Sequence, residues 1–211
     1  MSDAVVSWKT ARLTHADVRL LSPGAWLNDA VMGFWLEYLA SSPGPEGLSE
    51  RADVCFLDPA AAFWISSEDD PADLQDGLDP LELPSKSLVI APVNDRSERD
   101  GAGGSHWALL AIHRPASGAL RAEYYDSIGT GNLAQAKLLA RKLLPALGGS
   151  GREELRVCAA GKQDNQSDCG VFTLLFAEAL ARGVDPAAFT SADAARLRSR
   201  MADTVAALAK K

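Results

Sequence analysis

Apolar residues recur along this chain at two periods, one of two residues and one near 3.6, and together they predict a mixture of strands and helices. Val5 to Trp8 reads as a short strand, and His15 to Leu21 as a helical turn that ends at Ser22-Pro23-Gly24. From Trp26 to Leu39, the residues Leu27, Val31, Phe34, Trp35 and Tyr38 fall at helical spacing. Asn28 or Asp29 caps that helix, and the Pro-rich and Gly-rich run from Ser41 to Gly47 ends it. Trp26 precedes the cap and lies off the periodic face, so it is free of that core and available to a cleft. Val54 to Leu57 predicts a strand, and Pro59 to Ile65 and Pro71 to Leu78 predict short helices, before Pro80 and Pro84 break the chain.

Lys86 to Val93 is a near-continuous β-type run, the mark of a strand buried on both faces. Asn94 to Ser105 is polar, carries Gly101, Gly103 and Gly104, and predicts a mobile loop long enough to suggest function. His106 to His113 and Leu120 to Asp126 are strands on either side of a polar turn at Pro115 to Gly118. Such a pair forms an antiparallel hairpin, which sets His106, at the start of one strand, beside Asp126, at the end of the next. A helix from about Asn132 to Leu147, a strand near Leu155 to Ala159 and a helix opening at Cys169 follow. The last helix, Ser191 to Leu208, repeats Ala194, Leu197, Met201, Val205 and Leu208 along one packing face. The expected fold class is α+β: a central mixed sheet flanked by helices, with Cys169 at a helix start and the site at the junction of sheet and helices.

Composition narrows the picture. At 211 residues, 47% of them hydrophobic, the chain is long enough for a sizeable core, and no linker or repeat divides it, so residues 1–211 are expected to form a single domain. The N-terminus carries Asp3 where a secretory leader would be basic, and no apolar run approaches membrane-spanning length. The expectation is therefore a soluble intracellular monomer with no membrane partner. Cys55, Cys158 and Cys169 are too few and too irregularly spaced for a disulfide framework, and no metal-ligand spacing occurs, so reduced thiols, no metal and no cofactor are expected. A net charge of −7 argues against a nucleic-acid partner. The acid is concentrated from Glu46 to Glu82, where eleven carboxylates face the single base Arg51. Such a run is ordinarily solvated surface; as a functional face it would steer a basic partner, at a rate that falls with added salt.

The candidate chemistry centres on Gln163-Asp-Asn-Gln-Ser-Asp-Cys169-Gly-Val-Phe, where a polar, turn-prone run gives way at Cys169 to a helix. A thiol at a helix start meets unpaired N–H groups and the positive end of the helix dipole, which favour the nucleophilic thiolate. A cysteine entering an apolar helix is more often core, so the nucleophile needs support from elsewhere in the chain. It needs a base, and of the three histidines His106 is the one with a carboxylate placed to orient it. His15 falls in a polar surface stretch and His113 at the far end of its strand. The backbone N–H of Cys169 is one donor for a developing oxyanion; the second could come from Gln163, with Asp164, Asn165 and Gln166 as neighbours that residue type alone does not separate from it.

These residues resemble a known family, the ubiquitin-like-protein proteases or sentrin-specific proteases, cysteine peptidases related in their papain-like fold to the adenovirus protease. The matching words are Trp26-Leu-Asn-Asp29, His106-Trp107, Tyr125-Asp126-Ser127, and Gln163 with Ser167-Asp168-Cys169-Gly170, in family order and spacing. The resemblance implies Cys169 as nucleophile, His106 as base, Asp126 as its orienter and Gln163 as oxyanion donor. It also implies that Trp26 and Trp107, with Asp29 among the substrate-binding positions, enclose the C-terminal Gly-Gly of a ubiquitin-like modifier. Within the family the chain is most similar to the short deneddylating branch, which has almost no N-terminal extension and a longer Gly-Gly-containing loop before the histidine. Ile128-Gly129-Thr130 departs from that branch, which is more polar there. The implied activity is hydrolysis after the modifier's terminal glycine, from lysine conjugates or precursors, with the neddylation modifier as first substrate and SUMO as second, in cytoplasm and nucleus. The competing expectations are a SUMO-specific protease, an acyltransferase on the same fold, and a modifier-binding module that does not cut.

Overall fold

The structure, a computed structural model, describes residues 4–45, 47–96, 104–116 and 118–210. It opens with an antiparallel hairpin of β1 (Ala4–Trp8) and β2 (Ala11–Thr14), followed by the short helix α1 (His15–Arg19). β2 does not announce itself in the sequence, for a physical reason. Its turn places Lys9 at φ 50°, a left-handed conformation that Gly or Asn ordinarily signals.

Five strands form the central sheet in the order β3 (Val54–Phe56), β4 (Leu88–Asn94), β5 (Trp107–His113), β6 (Arg121–Tyr125) and β7 (Leu155–Val157). The outer pairs are parallel and the inner pairs antiparallel, so the sheet is mixed, as expected. Its side chains alternate between two cores. Ile90, Leu109, Ala111 and Tyr125 pack with α2 (Asp29–Ser41), α6 (Cys169–Ala181) and α7 (Ser191–Leu208). Val89, Ala91, Leu110, Ile112 and Tyr124 pack with α3 (Pro59–Ser67) and α5 (Leu133–Ala146). Burial on both faces explains why β4 and β5 read as unbroken apolar runs.

The helices begin where side chains can take up their first N–H groups. Of the two residues able to cap α2 it is Asn28 that does so, its side chain accepting from the N–H of Val31 at 3.0 Å. Asp58 and Asp70 cap α3 and α4 (Pro71–Leu78), each with a proline at the first helical position. α5 and α6 differ: Asn132 and Asp168 precede them but make no side-chain bond to the helix. The expected mobile loop from Asn94 to Ser105 lies, over residues 97–103, outside the described residues. Among the described residues no helix is long and apolar enough to cross a membrane.

Candidate active site

The register of β5 on β6 sets Leu109 opposite Tyr125, which brings Asp126, just after β6, and His106, just before β5, to the same end of the hairpin. His106 Nε2 lies 2.9 Å from Asp126 Oδ1. The same oxygen accepts from the backbone N–H groups of Ile128 at 2.8 Å and Gly129 at 3.0 Å, while Oδ2 accepts from the Tyr124 hydroxyl at 2.6 Å. Burial is the largest single influence on Asp126 and disfavours its charge, yet these four donors together hold the carboxyl down at about 2. Burial likewise works against a charged His106, but hydrogen bonding to Asp126 and to Cys169, with the charge on each, pushes its pKa up to about 9. With Nε2 donating to the carboxylate, the other ring nitrogen is left to accept a proton. That atom, Nδ1, is buried and makes no hydrogen bond of standard geometry among the described residues.

The backbone of His106 is held as firmly as its ring. The Asn132 side chain donates to the carbonyls of His106 and Val93, each at 2.9 Å, and Asn94 donates to the His106 carbonyl at 3.1 Å. Asp95 Oδ1 accepts from the N–H of His106 at 3.1 Å and of Ser105 at 2.6 Å, so the loop is anchored where it re-enters the sheet. Tyr124, Asn132 and Asp95 hold the His106–Asp126 pair in place, and the sequence pattern did not single them out. Tyr124 looks like any strand aromatic, Asn132 like a helix cap and Asp95 like loop polarity.

Cys169 is the first residue of α6, so its N–H belongs to the helix-initial set that has no intrahelical acceptor. Its side chain is buried but forms part of the lining of a cleft of about 410 Å³, together with Trp26, Asp29, Phe63, Arg96 and Trp107. Trp107 Nε1 donates to the Leu27 carbonyl at 3.1 Å, tying β5 to the segment that carries Trp26. Trp26 is 49% exposed, off the core as its position before the cap predicts. Gly170 sits at a close approach: a Cβ there would lie 3.1 Å from Leu27 Cβ and 3.4 Å from Trp107 Cδ1, so the wall of the cleft would have to give by a few tenths of an ångström. Asp29 stands at the first position of α2 on the cleft wall.

Gln163 joins the site through intermediaries. Its Oε1 accepts from the Ser127 hydroxyl at 2.6 Å, next to Asp126, and its Nε2 donates to the Asn165 carbonyl at 2.6 Å. An amide nitrogen has two hydrogens, so one remains for a ligand. Two of the neighbours that residue type had left open are otherwise engaged: Asn165 Oδ1 accepts from the N–H groups of Ser167 and Asp168, and Asp164 accepts from Ser191. The two other cysteines are free thiols, and burial pushes Cys55 up to about 11. His15 is exposed on α1, and His113 lies at the opposite end of β5 from His106.

The chain is similar to known proteins along most of its length. Over 186 residues it is 36% identical to sentrin-specific protease 8 of Mus musculus, covering 87% of this chain and 80% of that protein. Over 179 residues it is 31% identical to NEDD8-specific protease 1 of Arabidopsis thaliana, covering 84% and 75%. In fold it is similar to the yeast Ulp1 protease domain solved in complex with Smt3, with a TM-score of 0.74 at 19% identity, over 99% of this chain and 89% of that one. Residues 25–211 match the family described as the Ulp1 protease family, C-terminal catalytic domain. The motif words, the fold that brings them together and these likenesses agree: the chain belongs to the Ulp1 protease family.

Proposed function

We propose that this protein is a cysteine isopeptidase that cleaves after the C-terminal Gly-Gly of a ubiquitin-like modifier, with NEDD8 as its first substrate, acting as a single catalytic domain. The observation that carries the reading is the His106–Asp126 pair beside Cys169, whose thiol opens into a cleft walled by Trp26 and Trp107. Two indoles beside the thiol favour a tail without side chains, and glycine alone has none. The likeness to sentrin-specific protease 8 and to a NEDD8-specific protease supports the choice of modifier.

In this mechanism His106 Nδ1 takes the proton of Cys169, and the sulfur attacks the carbonyl carbon of the terminal glycine. The oxyanion is met by the N–H of Cys169 and by the remaining amide hydrogen of Gln163. When the C–N bond breaks, His106 returns the proton to the departing lysine amine. Water, deprotonated by the same imidazole, then splits the thioester and frees the modifier's carboxylate. Asp126 keeps Nε2 protonated and stabilises the imidazolium throughout. No step requires a cofactor, and the compartments that fit are cytoplasm and nucleus, where conjugated lysines and reduced thiols coexist.

The test is to incubate the protein with NEDD8, SUMO and ubiquitin, each bearing a thiol-trapping group at its C-terminus, and to locate the adduct by mass spectrometry. A fast adduct on Cys169 with NEDD8 is expected. Preference for SUMO would move the chain to the desumoylating branch, and no adduct with any modifier would overturn the reading.

A further inference from the structure

One buried cation has no part in the site as described so far. Arg198 lies within the apolar face of α7, between Leu197 and Met201, and is 4% exposed. Its Nη1 donates to the carbonyls of Leu20 at 2.8 Å and Ser22 at 3.2 Å, and its Nη2 to the carbonyl of Ala25 at 2.9 Å and to Asp168 Oδ1 at 2.6 Å. The three carbonyls belong to the turn that delivers Trp26 to the lip of the cleft. Asp168 is the residue before Cys169. Its other carboxylate oxygen accepts from Asn165 at 2.9 Å, and the Asn165 carbonyl in turn accepts from Gln163.

Asp168 occupies the position from which an acid ordinarily caps its own helix, yet it makes no such bond and faces the guanidinium instead. A charge this deeply buried persists only when its partners are in place, and a planar fork of donors can hold several acceptors in fixed directions where an ammonium cannot. Building on the peptidase reading above, we infer that Arg198 is a positioning residue: it locks the Trp26 lip of the cleft to the start of the helix that carries Cys169. Lip and thiol then keep one spacing while the substrate tail lies between them, which matters because a shift of about 1 Å in a reacting group lowers the rate about 100-fold.

The test uses Arg198→Lys, which keeps the charge and loses the fork, and Asp168→Ala, which removes the other end of the link. Hydrogen exchange read by peptide mass spectrometry needs no substrate. Arg198→Lys is expected to speed exchange in residues 20–28 at least tenfold while the peptides of β4 and β5 exchange as in the wild type. Asp168→Ala should speed the same segment, because Arg198 connects them. On a fluorogenic NEDD8 substrate, Arg198→Lys lowers kcat/KM about tenfold in the wild-type background and less than threefold in the Trp26→Ala background. Unchanged exchange at 20–28 in both variants, or a full loss of activity on top of Trp26→Ala, overturns the inference. If the wild type cleaves no modifier, the peptidase reading falls, and the exchange data still decide whether the lock exists.

Discussion

The β5–β6 hairpin carries a histidine against a carboxylate at each end, and a cysteine near each pair, but the two ends are built differently. At the His113 end, Nε2 lies 3.1 Å from Glu123 Oε2, which also accepts from the Tyr125 hydroxyl at 2.8 Å. Burial there outweighs the attraction of Glu123, with the charge of Arg121 on the same side, and the proton affinity of His113 falls. Cys158 follows β7 without a helix start, and burial, reinforced by the charge of Glu123, pushes its thiol up. At the His106 end the carboxylate receives four donors, two of them backbone N–H groups from the turn after β6, and the histidine is pushed the other way. A His–carboxylate contact is therefore not sufficient for an imidazolium in a protein interior. His106 has a second favourable neighbour, Cys169, beside its carboxylate, whereas His113 has the charge of Arg121 working with burial against it.

That contrast can be broken most directly at the thiols. Cys169→Ala should abolish release of a fluorophore from the C-terminus of NEDD8, whereas Cys158→Ala should leave the rate within about twofold. Loss of activity in the second variant would put the chemistry at the wrong end of the hairpin. Next in size, Asp126→Asn is expected to lower kcat by on the order of 10²–10⁴-fold through loss of the oriented tautomer. Glu123→Gln, which removes the corresponding charge at the other end, should change kcat by less than about threefold. Trp26→Ala should lower kcat/KM about 30-fold, the equivalent of about 2 kcal/mol of tail binding. Its melting temperature should stay near that of the wild type, because the indole is 49% exposed; an equal fall in both would make Trp26 part of the core.

The smallest effect separates the two ends by pH. Asp126, held at about 2 against a usual 3.8, contributes stability above its usual value that is lost as pH falls through about 2. His106, raised to about 9 from 6.5, contributes stability in full below 6.5 that is lost as pH rises through about 9. The fall in melting temperature caused by Asp126→Asn should therefore be greatest between about pH 4 and 6.5 and shrink toward pH 9. His113 is shifted downward, so its cost appears on the acid side: below its usual 6.5 the unfolded chain takes up a proton that the folded chain resists. His113→Gln should thus gain melting temperature relative to the wild type below about pH 6 and run parallel to it above pH 7. Parallel curves for both variants across the whole range would mean that neither pair is linked to folding in the manner described.

Much of the site was legible before any tertiary contact was known. Strand pairing across a short turn placed His106 beside Asp126, and the change of period at Cys169 placed the thiol at a helix start. Both follow from interactions between near neighbours in the chain, which backbone preferences and side-chain alternation control. The position of Trp26 off the helical face was legible for the same reason. The hairpin of β1 and β2 was not, because Lys9 takes a backbone conformation that its residue type does not announce.

What only the tertiary structure decided is how these local pieces are held. Asn132 spends its amide on the carbonyls of Val93, 39 residues away, and His106, and so steadies the histidine that faces Asp126 where its position in sequence suggests a cap. Arg198 reaches carbonyls as far as 178 residues away, and an arginine in an apolar helical stripe gives no hint of which acceptors it meets. The physical reason is the same in both cases. A buried polar side chain must find partners wherever packing brings unsatisfied groups, and that search runs through the folded interior. Apart from β2, the sequence by itself determined which elements form and which reactive residues their ends present; the packing of α7 and the N-terminal turn against the start of α6 decided the spacing at which those residues meet.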